Sequence, residues 1–230
     1  MNLSYDTFNP VYKTADQINT AMAGVYKWMF LAVLVSMGVA FGVGNTPSLV
    51  EFFFTGMLKW VIVFAPLIAV IGISVALNSN PPKEIAQLLL LGFSALMGLS
   101  FAVIFAVYQM GSIVTSFMSA GILFGVMSFY GYFTKKSLDS LGKFMFVGLV
   151  AIILASIVNI FIGSSLFSMV ISSIAIIVFL GLTAYDTQKI REMIMQDNSH
   201  NVEVQGALTL YLDFINIFLS LLQLFGAKKE

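Results

Sequence analysis

The sequence predicts an all-α integral membrane protein, a seven-helix bundle, and three observations carry that prediction. Of 230 residues, 59% are hydrophobic and only 10% charged, against about 25% charged in an average soluble domain. The mean hydropathy is +0.97. Long apolar runs follow one another from residue 28 to residue 225, and at about 20 residues per crossing they fill the chain with spans and short loops. No separate soluble domain fits.

The runs lie at residues 28–43, 60–77, 85–107, 113–133, 144–162, 166–185 and 204–225. Turn residues separate most of them: Asn45-Thr46-Pro47, Asn78-Ser79-Asn80-Pro81-Pro82, Lys135-Lys136-Ser137-Leu138-Asp139 and Gly163-Ser164-Ser165. Residues 1–24 are polar and mixed in charge, without the basic start, apolar core and small-residue cleavage site of a signal peptide. They read as a cytoplasmic segment ahead of a single transmembrane domain over residues 25–230. The sixth run can continue as helix through Lys189, Ile190 and Arg191, since nothing from Thr187 to Met195 breaks it. That extension brings Asp186 inside the membrane.

Charge fixes an expected orientation. With the amino terminus inside, Lys13, Lys27, Lys83, Lys135, Lys136, Lys143, Lys189 and Arg191 all fall on the cytoplasmic side. Lys59, Lys228 and Lys229 are then outside, unless the last run enters and leaves by the same face. Eleven basic and eleven acidic side chains cancel, so no large field exists to hold nucleic acid. There is no cysteine and one histidine, His200, which excludes disulfides, thiol catalysis and multi-histidine metal sites. No tightly bound cofactor is expected. Gly38 with Gly42 and Gly121 with Gly125 offer flat surfaces for helix approach, as generic packing.

The last run carries the informative pattern. Thr209, Asp213, Asn216, Ser220 and Gln223 recur at alternating spacings of four and three, so they form one polar stripe on an otherwise apolar rod. An aspartate at the centre of a span costs about 2.5–3.5 kcal/mol on insertion scales, a cost met by a partner, a cavity or protonation. Asp186 is the natural partner for Asp213, because the sixth and seventh runs are consecutive and each acid lies near the loop joining them. The alternative leaves Asp186 solvated at the interface and Asp213 alone in a hydrated pocket. Two carboxyls in hydrogen-bond reach at low dielectric share one proton over part of the pH range. Losing that proton leaves two like charges and an oxygen-lined site for a cation. Calcium takes six to eight oxygens, so Asp186 and Asp213 with Thr209, Asn216, carbonyls and water make an incomplete, transient site that suits passage.

The segment Gly181-Leu182-Thr183-Ala184-Tyr185-Asp186-Thr187-Gln188-Lys189-Ile190 closely resembles the signature of the Bax inhibitor, or transmembrane Bax inhibitor motif, family. The final run from Gly206 to Phe218 and the Gly131-Tyr132-Phe133-Thr134-Lys135-Lys136 loop are also similar to it. The resemblance implies a seven-helix bundle with the C-terminal helix at its centre and a pH-sensitive calcium leak, with Asp186 and Asp213 as the proton-sharing gate. The stripe residues Thr209, Asn216, Ser220 and Gln223 are then the expected pore lining. Calcium would be the permeant ion and the bilayer the medium. Some bacterial relatives are linked to a membrane-bound AAA protease, and compact length points to a bacterial member in the cytoplasmic (inner) membrane. Some members place an arginine in the second span near the acids. Here the one arginine is Arg191 and the nearest cation of that span is Lys59, at its edge.

Two other functions compete. A non-conducting regulator could bind a membrane protease or another complex, its polar stripe serving only to hold the bundle. An intramembrane aspartyl protease would also use two acids, but it needs Gly-x-Gly-Asp where this chain has Leu210-Tyr211-Leu212-Asp213, and a Pro-Ala-Leu tripeptide that does not occur. The chain therefore reads as a non-enzyme. His200 reads as a loop residue, and Lys189, Arg191 and Glu192 as markers of the membrane boundary.

Overall fold

The computed structural model describes residues 13–196 and 201–229. His200 and residues 1–12 lie outside the described residues. Helices are α1 (Ala15–Gly44), α2 (Pro47–Phe54), α3 (Leu58–Asn78), α4 (Lys83–Val107), α5 (Met110–Phe133), α6 (Asp139–Ile162), α7 (Ser165–Gln196) and α8 (Val202–Phe225). Among the described residues, seven are long and apolar enough to cross a membrane, all except α2.

Helix α1 begins inside the segment read as polar. Thr14 and Gln17 form a capping box, Gln17 N–H donating to Thr14 Oγ1 at 3.3 Å and Thr14 N–H to Gln17 Oε1 at 2.8 Å. The other spans also outrun their apolar cores by a few residues, in α3, α4, α6, α7 and α8 because charged side chains end a hydropathy run without ending a helix. The largest case is α7, which continues to Gln196 and keeps Asp186 within it. The eight-residue α2 is too short to show periodicity and reads as loop in the sequence. Gly163 ends α6 in the left-handed region at φ 68°, where glycine carries no Cβ penalty.

Helix α8 crosses rather than re-enters, because its two ends meet opposite ends of α4. At its start, Asn201 Nδ2 donates to Pro81 O at 2.7 Å and Asn80 Oδ1 at 3.0 Å, just before α4. Past its end, Gln109 N–H donates to Ala227 O at 2.9 Å and Lys229 N–H to Val107 O at 2.8 Å, just after α4. Lys228 and Lys229 thus lie on the face opposite Lys83.

Of the seven long helices, α8 has the most buried spanning window, at 56%. It packs on α7, α1 and α5. Tyr211 is fully buried, its ring edge-on to Phe93. Ser36 Oγ lies 2.9 Å from the carbonyls of both Ala32 and Ser94, so its one proton goes to these and Tyr211 OH, at 2.6 Å, donates to it. One hydroxyl thereby joins α1, α4 and α8.

The glycines that permit close approach are not the expected pairs. A Cβ on Gly38, Gly42, Gly121 or Gly125 would meet nothing within 4 Å, so these turn away from the helix contacts. A Cβ on Gly98 would lie 2.5 Å from Ser36 O, and one on Gly131 would collide with the backbone of Ala184. Four-residue spacing alone does not reveal which face a neighbour covers. Gly131→Ala is therefore expected to cost about 1–3 kcal/mol through overpacking, despite the better helix propensity of alanine. Thermal unfolding in detergent checks this against Gly121→Ala, which should be neutral or slightly stabilising.

Candidate functional site

Helix geometry explains the Ala184-Tyr185-Asp186-Thr187-Gln188 block. Consecutive residues on a helix turn by about 100°, so five in a row address all sides of α7. Ala184 lies beneath Gly131 of α5, and the Tyr185 ring lies against Gly142 of α6. Thr187 Oγ1 is 3.0 Å from Ser128 Oγ of α5, which in turn is 2.6 Å from Tyr26 OH of α1. Gln188 Oε1 accepts from Leu138 N–H at 2.8 Å and its Nε2 donates to Lys136 O at 2.9 Å, fastening the α5–α6 turn. Asp186 meets Asp213 of α8.

The two carboxyls are in side-chain hydrogen-bond contact. Asp213 is buried at 4% exposure, whereas Asp186 is half-buried. Oδ2 of Asp213 is buried and receives no hydrogen bond from any N–H or hydroxyl group among the described residues. A carboxylate has no donor of its own, so the contact is a hydrogen bond only while a proton sits between the acids. Without that proton the pair is two like charges in a low dielectric. The arrangement can therefore hold or release one proton, or present oxygens to a cation.

Both acids line a cavity of about 1060 Å³ bounded by α3, α6, α7 and α8. Of the polar stripe on α8, Thr209 and Asn216 also line it. Ser220 and Gln223 do not: Ser220 is buried farther along the helix, and Gln223 Oε1 accepts from Ser172 Oγ of α7 at 2.7 Å. The far half of the stripe is thus a helix–helix seam, since polar side chains within a bilayer also serve to join helices. Toward the start of α8, Gln205 Nε2 donates to Leu77 O at 3.1 Å, and Lys83 pairs with Glu203 at 3.3 Å.

The cation beside this site is one the sequence reading did not single out. Lys59 lies over the Trp60 ring, 5.3 Å from its centroid, and Arg191 over the Tyr132 ring at 5.4 Å. Lys189 pairs with Glu192 at 3.4 Å. None of these lines the cavity, whereas Lys143 on α6 does. Nothing in the sequence marks it, since only the fold brings Gly142, one residue earlier, against Tyr185. Among the described residues no group of three His, Cys, Asp or Glu converges, so any cation would find two acids completed by neutral oxygens.

Comparison with known proteins shows which family the chain resembles. The family model described as "Inhibitor of apoptosis-promoting Bax1" matches residues 18–230. The chain is 39% identical over 219 residues to inner membrane protein YbhL of Escherichia coli K12, covering 92% of this chain and 93% of that protein. It is 35% identical over 220 residues to an uncharacterised protein of Deinococcus radiodurans, with 94% of each chain covered. An uncharacterised membrane protein of Streptococcus pyogenes serotype M1 is 39% identical over 163 residues, 70% of each.

Proposed function

The chain belongs to the Bax inhibitor family of membrane proteins, and on that premise we propose that it is a pH-sensitive calcium leak of the bacterial inner membrane, gated by Asp186 and Asp213. The observation that carries the reading is the contact of two carboxyls, one of them buried, at the wall of a large cavity. An unexplained acid within a span usually marks an ion or proton path. Here the proton shared by the pair ties α7 to α8 and keeps the acids from a cation. When it leaves, repulsion separates the carboxylates, and with Thr209 and Asn216 they offer a partial oxygen shell that a calcium ion can enter and leave.

The sign follows from this chemistry. Raising the pH removes the shared proton, so calcium flux rises with pH; acid restores the contact and closes the path. Flux into dye-loaded proteoliposomes at several pH values between about 6 and 8 tests this. Flux above that of empty liposomes and increasing with pH is the expected result. Folded protein giving no flux at any pH would overturn the leak and favour a regulator that acts by binding.

A further inference from the structure

The cavity that reaches the acids is open sideways. Helix α6 packs chiefly on α7, and α3 chiefly on α4. The spanning window of α6 is only 6% buried, the least of the seven. Along α6 the cavity wall is apolar, with Phe146, Val147, Ile153 and Ile157 both lining it and largely exposed. Its polar side chains gather chiefly toward the end of α6 that carries Lys143. In a bilayer an apolar opening at this depth faces hydrocarbon. Lys143 adds a charge at the mouth: it is exposed, and among the described residues no carboxylate forms an ion pair with it. Asp139, one turn earlier, instead accepts from Ser137 Oγ at 2.8 Å.

From these observations we propose that the opening between α3 and α6 is a binding site for an anionic phospholipid of the bilayer, with the phosphate on Lys143 and an acyl chain lying along α6 toward the acidic pair. The ammonium supplies a point charge for the phosphate, and Lys135 and Lys136 on the preceding turn add to the field at that surface. A free phosphate would satisfy the lysine but not the apolar wall. The bound chain would screen Asp186 and Asp213 from the side. The site requires the cavity, not calcium passage.

Brominated-lipid quenching of a single tryptophan tests it. Trp28 and Trp60 are replaced by Phe, and a reporter is placed inside the cavity as Ile152→Trp, or as Leu149→Trp should the first variant fail to fold. A control reporter is Phe161→Trp, at an 85% exposed position. Phosphatidylcholine vesicles receive either dibrominated phosphatidylglycerol or dibrominated phosphatidylcholine as guest. The cavity reporter should be half-quenched at an about fivefold lower fraction of the anionic guest, the preference of one surface lysine. Phe161→Trp should show no such preference, and Lys143→Glu should abolish it at the cavity. Equal quenching by the two guests at the cavity, or a preference that survives Lys143→Glu, would overturn the site. No ion is measured, so either result leaves the calcium reading to be judged separately.

Discussion

Asp213→Asn is expected to leave a folded protein whose calcium flux is low and nearly independent of pH. An asparagine amide can donate to the Asp186 carboxylate, so it makes the contact permanently that the wild type makes only with a proton in place. The helices stay tied, and one of the two charges that would draw a cation is gone. Asp186→Asn should behave alike, because the contact is reciprocal. Wild-type flux, in contrast, should rise by up to about tenfold per pH unit while one proton titrates. Asp213→Ala is the informative companion: it abolishes the contact without a substitute donor, so flux should again lose its pH response but no longer be held low. Proteoliposome flux with all three variants distinguishes these outcomes. An unchanged pH profile in Asp213→Asn would remove the pair from the gate.

Tyr211→Ala should be the most destabilising substitution within α8. Tyr211 is fully buried, and truncating such an aromatic typically costs about 3–5 kcal/mol through lost contacts and the cavity left behind. The same change removes the hydroxyl that meets Ser36 at 2.6 Å. Tyr211→Phe separates the two losses: it keeps the ring against Phe93 and removes one hydrogen bond, worth about 1 kcal/mol. Ser36 keeps the Ala32 and Ser94 carbonyls as acceptors. Thermal unfolding in detergent should therefore rank wild type, Phe and Ala in that order, with the larger step between Phe and Ala. Equal stability of the two variants would mean that α8 is not the rod on which the bundle is packed.

Much of this architecture is legible in the residues. Apolar runs locate seven long helices because the bilayer imposes their length, and the alternating spacing of Thr209, Asp213 and Asn216 points one face of α8 at the cavity. The stripe misleads at Ser220 and Gln223, since a polar side chain gives the same pattern whether it meets water or a neighbour such as Ser172. Glycine spacing misleads for a related reason. Gly121 and Gly125 share a face that no helix covers, whereas Gly131, without a partner at that spacing, holds the α5–α7 contact. Lys143 goes unnoticed because its importance depends on which helix borders the acids, a tertiary fact. Whether α8 crosses becomes clear only from the tail hydrogen bonds at Val107 and Gln109.

In the proposed gate, Asp186 and Asp213 share one proton whose departure opens the path. Infrared difference titration of the reconstituted protein reads that proton directly, through the carbonyl stretch of a protonated carboxyl. The wild type should show one such band that disappears as pH rises across the range where calcium flux increases, and Asp213→Asn should lack it. Absence of the band throughout that range, or its persistence after flux has reached its maximum, would contradict the gate.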